Sequence, residues 1–238
     1  MTLVHSIPRV SVITPSCNRP AALRLAERWM AAQTLPPDEW IIADRSTEPP
    51  GPRNFLANLA DGVARATGDY LIFWEDDDYY APDHLAQLVK VADDHFDVVL
   101  VGDDTQRYYH VGLRRWKVMK NTGASLCQTL LKRSLLTWWQ DVWERCWQAT
   151  SVPAAGAWPP YAIDARLWSP VLSGDLRGAL GAFDTVVGIK GLPGQSGLGL
   201  GHDLDRVATW AADPQALILR TWLGEDAARV YTAIGEPL

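Results

Sequence analysis

The chain has 238 residues, 47% of them apolar, and a formal net charge of −6, which suits one large domain or two small ones with a sizeable core. The acidic balance argues against a protein that coats nucleic acid through bulk charge, and no apolar run approaches the ~20 residues needed to span a bilayer. Met1 to Arg9 lacks a basic segment followed by an apolar one, so no secretory signal is expected. Cys17, Cys127 and Cys146 are odd in number, lack metal-ligand spacing, and read as reduced thiols of a cytoplasmic protein.

Val10 to Thr14 is a β-rich run stopped at Pro15 and predicts a first strand. Arg19 to Gln33 has helical spacing, with Leu23, Ala26 and Met30 on one face and Pro20 in the first turn. Trp40 to Ala43 predicts a second strand ending at Asp44. Asn54 to Ala66 predicts a helix with Phe55, Leu59 and Val63 in register, stopped near Gly68. Tyr70 to Trp74 predicts a third strand, Pro82 to Asp93 a third helix and Asp97 to Val101 a fourth strand.

Alternating strands and helices imply an α/β fold with a mainly parallel sheet flanked by helices. Right-handed crossovers bring the strand C-termini to one edge, where ligands bind in such sheets. Thr14, Asp44 and the acids 75–78 fall at that edge. After residue 102 the pattern is less regular and rich in tryptophan. Leu126 to Trp147 predicts an aromatic helix, Ser151 to Pro160 a loop, and Thr185 to Lys190 a strand. Gly191 to Gly201 predicts a flexible loop, and Asp203 onward helix with a break at Asp213-Pro214. We therefore expect one domain of two subdomains, residues 1–102 and 103–238.

Glu75-Asp76-Asp77-Asp78 follows the apolar run Tyr70 to Trp74 without a spacer. Like charges this close repel by roughly 1 kcal/mol per pair in water, and by more where solvent is excluded. A divalent cation held by oxygen ligands is the usual remedy; a solvated turn or a helix N-terminus is the alternative. A second cluster lies between Thr105 and Gln140, where seven basic residues occur without an acid and aromatic residues interleave. That pattern is either a solvated basic face or a surface for an anionic partner.

Four segments, in order, resemble the family 2 glycosyltransferases of GT-A fold. Val10-Ser11-Val12-Ile13-Thr14-Pro15-Ser16-Cys17-Asn18-Arg19 is similar to the opening strand and loop that clasp the nucleotide. Ile41-Ile42-Ala43-Asp44-Arg45-Ser46-Thr47-Glu48 is similar to the second strand, although the usual pair of acids followed by glycine is here Ala43-Asp44-Arg45. Gly51-Pro52-Arg53-Asn54, continuing to Phe73, resembles the helix and strand that lead to the metal. Glu75 to Pro82 resembles the D-x-D region and its trailing proline.

The resemblance implies a Rossmann-like GT-A fold with a Trp-rich acceptor half, and an enzyme that moves a sugar from a nucleotide-diphosphate donor, a UDP-sugar first, to an acceptor hydroxyl. It implies a Mn²⁺ or Mg²⁺ ion at Asp77, Asp78 and His202. It implies donor contacts from Thr14, Pro15, Arg19, Asp44, Arg53 and Asp76. Asp164, in Ile163-Asp164-Ala165-Arg166-Leu167-Trp168, resembles the family's general base and implies inversion. Arg114, Arg115 and Trp116 are the expected acceptor contacts, with a hydroxymethylated base of phage DNA as the first acceptor; a polysaccharide or small molecule, or nucleotide binding without turnover, are the alternatives. The glycines at 197, 199 and 201 lack a following Lys-Ser/Thr, so no phosphate-binding loop of the P-loop kind is read there.

Overall fold

The computed structural model describes residues 7–45, 49–120, 122–151, 159–194 and 197–235. The first half follows the expected alternation: β1 (Val10–Ser16), α1 (Pro20–Ala31), β2 (Glu39–Asp44), α2 (Pro52–Arg65), β3 (Tyr70–Phe73), a short β4 (Tyr79–Tyr80), α3 (His84–Asp94) and β5 (Leu100–Asp103). Then come β6 (Thr105–His110), β7 (Arg115–Lys120), β8 (Thr129–Lys132), α4 (Leu136–Ala149), α5 (Ile163–Ser173), β9 (Gly178–Gly181) and β10 (Val186–Lys190). The described chain closes with α6 (Leu204–Val207), β11 (Ala211–Ala212), α7 (Leu217–Leu223) and α8 (Glu225–Gly235).

A six-stranded sheet has the order β2-β1-β3-β8-β5-β9. Five strands run in one direction and β8 runs against them. Helices cover both faces, so the strands read as continuous apolar runs rather than alternating ones. Side chains still sort by the period of two. Tyr70, Ile72 and Trp74 join the cluster with α1, α3 and α8, while Leu71 and Phe73 join the one with α2, α4 and α5. A second sheet, β11-β7-β6-β10-β4, stands beside the first. The acidic residues 75–78 are the link between them, since β3 lies in one sheet and β4 in the other.

Two expectations are corrected here. Leu126 to Trp147 is not one helix: a 3-10 turn at Leu126–Gln128 leads into β8, and the helix begins only at Leu136. Leu130 and Leu131 are fully buried, one on each face of the sheet, which suits a strand walled in on both sides. The basic segment after Thr105 forms a hairpin, β6 paired with β7. Gly68 also has a different role. The helix α2 ends at Arg65, and Gly68 is where the chain presses against β1: a Cβ there would lie 2.7 Å from Ser11 N and 2.8 Å from Arg9 O. Ser46-Thr47-Glu48 and most of the loop expected at Ser151 to Pro160 lie outside the described residues.

Candidate active site

A cavity of about 620 Å³ opens at the C-terminal edge of the sheet, within the ~300–1,000 Å³ usual for ligand sites. Pro15 and Arg19 line it from the first strand and loop, Asn54 and Asn58 from α2, and Glu75 to Asp78 from the acidic turn. Gln106, Tyr108 and Met119 come from the hairpin, Asp164 from α5, and Lys190, Gly197 and Gly199 from β10 and the glycine loop.

Asp76, Asp77 and Asp78 are each 3% exposed or less. Side chains supply part of their neutralisation. Arg19 reaches Asp76 Oδ1 at 2.5 Å and Asp77 Oδ2 at 2.8 Å. Lys190 Nζ lies 3.0 Å from Asp78 Oδ1 and 3.8 Å from Asp77 Oδ2. Ser16 Oγ donates to Asp76 Oδ2 at 2.8 Å, and Ile189 N–H donates to Asp78 Oδ1 at 3.0 Å. Asp78 therefore ties the turn to β10, while Asp77 faces the cavity between Arg19, Lys190 and His202.

These environments split the carboxylates. Burial pushes Glu75 up to about 8, with the charge of Asp78 adding to it. Burial likewise raises Asp76 and Asp78. Burial acts in the same sense on Asp77, but Lys190 and Arg19 outweigh it and hold that carboxyl well below the usual range. Asp77 is thus the acid kept ionised.

Opposite Asp77 stands His202. Its Nε2 is enclosed without a hydrogen-bond partner among the described residues and lies 3.9 Å from Asp77 Oδ2. Burial, and then the charge of Lys190, lowers its pKa to about 4, so the imidazole is neutral at pH 7. The glycine loop crosses directly above. A Cβ on Gly197 would fall 2.8 Å from His202 Nε2 and 3.2 Å from Asp77 Oδ2, so only glycine leaves that space open.

Asp164 is the second residue of α5, and its Oδ1 accepts from Ala165 N–H at 2.8 Å. It lines the cavity, and burial raises its pKa. Of the other expected donor contacts, Pro15 lines the cavity. Thr14 is fully buried, its hydroxyl accepting from Trp40 Nε1 at 2.8 Å. Asp44 is exposed at the end of β2, where it accepts from Asn18 N–H at 3.2 Å. Arg53 turns toward the end of α4, 4.2 Å over the Trp147 ring and 3.3 Å from Thr150 Oγ1.

The expected acceptor residues sit at the other end of the hairpin. Arg114 has a left-handed backbone (φ 47°) in the turn and donates to Pro214 O; Arg115 donates to Trp210 O. Trp116 packs edge-on to Trp222. Arg115 is four residues from the cavity-lining Met119, about 13 Å along an extended strand. Sequence reasoning missed Lys190, Asn58, Tyr108 and Met119 as cavity residues. For Lys190 the one available signal was its place at a strand end before the glycine run.

The family model described as Glycosyl transferase family 2 matches residues 47–148. None of the curated proteins matches the chain. Among solved structures, the mannosyltransferase PcManGT from Pyrobaculum calidifontis, in complex with GDP-Man and Mn²⁺, is 16% identical with a TM-score of 0.49, over 98% of this chain and 77% of that one. S. aureus TarS (residues 1–349) is 12% identical with a TM-score of 0.44, over 76% of this chain and 60% of that one. The region that matches the family 2 glycosyltransferase model holds α2, β3 and the acidic turn.

Proposed function

We propose that the cavity holds a nucleotide-diphosphate sugar together with Mn²⁺ or Mg²⁺, and that Asp164 serves as the base in an inverting transfer. The observation that carries this is the pair His202 Nε2 and Asp77 Oδ2. They lie 3.9 Å apart: the first, on a neutral ring, has no hydrogen-bond partner among the described residues, and the second, on a carboxylate kept ionised, also accepts from Arg19 at 2.8 Å. Two ligands of a single ion at about 2.1 Å each can stand that far apart. Arg19 and Lys190 are the two cations set among carboxyl groups 75–78, and a divalent ion would favour the ionised form of the three that burial raises. Asp77 and His202 would hold the ion, with Asp78 behind them. When bound, it would act as a Lewis acid toward the departing diphosphate.

The chain's own residues account for the rest. Arg19 lies at the cavity wall with its guanidinium held by Asp76 and Asp77, a fixed positive charge on the side where a diphosphate would lie. Pro15, Asn54 and Asn58 form the wall on the first-strand side, where a nucleoside would lie. Asp164 stands across the cavity and accepts the acceptor hydroxyl's proton as the oxygen attacks; its raised pKa makes it a stronger base than a solvent-exposed aspartate. The glycine loop over Asp77 and His202 limits the entry of water.

For the acceptor we carry forward an anionic class, with hydroxymethylated DNA the first member to test. Lys117 is exposed on the same face of β7 as Met119, one pleat period, about 7 Å, from the cavity. The deciding assay incubates the protein with UDP- and GDP-sugars and Mn²⁺, with hydroxymethylated DNA, simple sugars or no acceptor, and reads products by mass spectrometry. Metal-dependent release of nucleoside diphosphate supports the reading; no turnover with any pair, alongside nucleotide binding, points to a binding module.

A further inference from the structure

Lys190 closes β10 and is 5% exposed, yet it lines the cavity. Its ammonium touches Asp78 and lies within 4 Å of Asp77, the two acids on which the proposed ion depends. Gly201 passes close over its stem, since a Cβ there would fall 2.3 Å from Lys190 Cγ. Among the described residues, the other titratable groups at this point are Arg19 on Asp76 and Asp77, Glu75 and His202.

We propose that Lys190 is an internal counter-cation that competes with the divalent ion for Asp77 and Asp78 and so orders binding: the site takes the ion weakly alone and tightly once a nucleoside diphosphate receives the ammonium. The inference rests on the donor-site reading above. A fixed positive charge among these oxygens repels an incoming dication and occupies lone pairs that would ligate it. Phosphate oxygens in the same cavity give that ammonium another partner. Lysine suits such an exchange, because a point charge on a flexible stem changes partner without moving the backbone. Arg19, forked between two acids, is the more fixed of the two cations.

The test is Mn²⁺ binding followed by the electron paramagnetic resonance of the free ion, for the wild type and Lys190→Met, with and without UDP or GDP. Without nucleotide, Lys190→Met should bind Mn²⁺ at least about tenfold more tightly than the wild type, and nucleotide should tighten Mn²⁺ more on the wild type than on the variant. Equal or weaker Mn²⁺ binding by the variant overturns the proposal. Should Lys190→Met fail to fold, Lys190→Gln carries the same expectation, and a wild-type affinity for Mn²⁺ unmoved by either nucleotide overturns it as well. Absence of Mn²⁺ binding by the wild type under every condition removes the donor-site reading itself, whereas equal binding by wild type and variant removes only this role for Lys190.

Discussion

Asp77 and Asp164 carry different work, and substitution should separate them. Asp77 is the acid held ionised beside an imidazole Nε2 that has no hydrogen-bond partner among the described residues, so Asp77→Ala should abolish the Mn²⁺-dependent part of donor binding, read by calorimetry with and without the ion. Asp164→Asn should leave donor affinity within about twofold and cut kcat by about 100-fold or more, the size of a lost general base. Its pH profile adds a check. The base works deprotonated, and burial raises its pKa, so kcat/KM should climb with pH through a limb lying above the ordinary aspartate range. In Asp164→Asn that limb should vanish, and its survival would assign the titration to another group. The acidic quartet was legible because four like charges behind a buried strand demand an explanation at sight. The partners were not: Lys190 is 112 residues from Asp78, and a lone lysine at a strand end resembles any other.

At the level of elements, β1, β2 and β3 could be read because each is a short apolar run stopped by a turn or an acid. The strand β8 could not, because Thr129-Leu130-Leu131-Lys132 sits among leucines and tryptophans whose spacing also fits a helix, and a short run covered on both faces has no period of its own. The hairpin of β6 and β7 was hidden for another reason: its turn uses Arg114 rather than glycine at positive φ, and its charges drew the eye from its alternation. Glu39 shows how the first strands are fastened. Its carboxylate accepts from Ser11 Oγ at 2.5 Å, Thr67 N–H at 2.6 Å and Thr67 Oγ1 at 2.9 Å, binding β1, β2 and the turn before β3. Burial works to raise its pKa, but these donors, Ser11 first, outweigh it and bring it to about 2. A depressed folded pKa stabilises above the unfolded value and loses that contribution as pH falls through the folded one. Glu39→Ala should therefore cost about 1–2 kcal/mol at pH 7. In denaturant titrations the gap between wild type and variant should close as pH drops from about 4.5 toward 2. A gap constant across that window would mean the carboxylate's charge is not what holds the strands.

Across the whole molecule, the cavity is the seam between two sheets. Asp76 and Arg19 belong to the first sheet's edge, Lys190 and Ile189 to the second's, and the acidic turn crosses from one to the other. Against β4, α1 and α8 are joined by a hydrogen bond from Trp29 Nε1 to Tyr231 Oη at 2.7 Å, with both side chains buried and Trp29 edge-on to Tyr79. This contact is not legible in the sequence, since the partners are 202 residues apart and each reads alone as core. The two regions respond to different perturbations. Tyr231→Phe removes one acceptor and leaves a buried indole N–H unpaired, costing about 1–3 kcal/mol, and should lower Tm while leaving the rise in Tm on adding Mn²⁺ with nucleotide unchanged. Ligands that bind only the folded state add stability by mass action, so Asp77→Ala should show the reverse: a much smaller rise with ligand. A Tyr231→Phe protein that lost the ligand-induced rise would show that packing of α8 on α1 governs the seam, and that the cavity is not set by the strand edges and acidic turn alone.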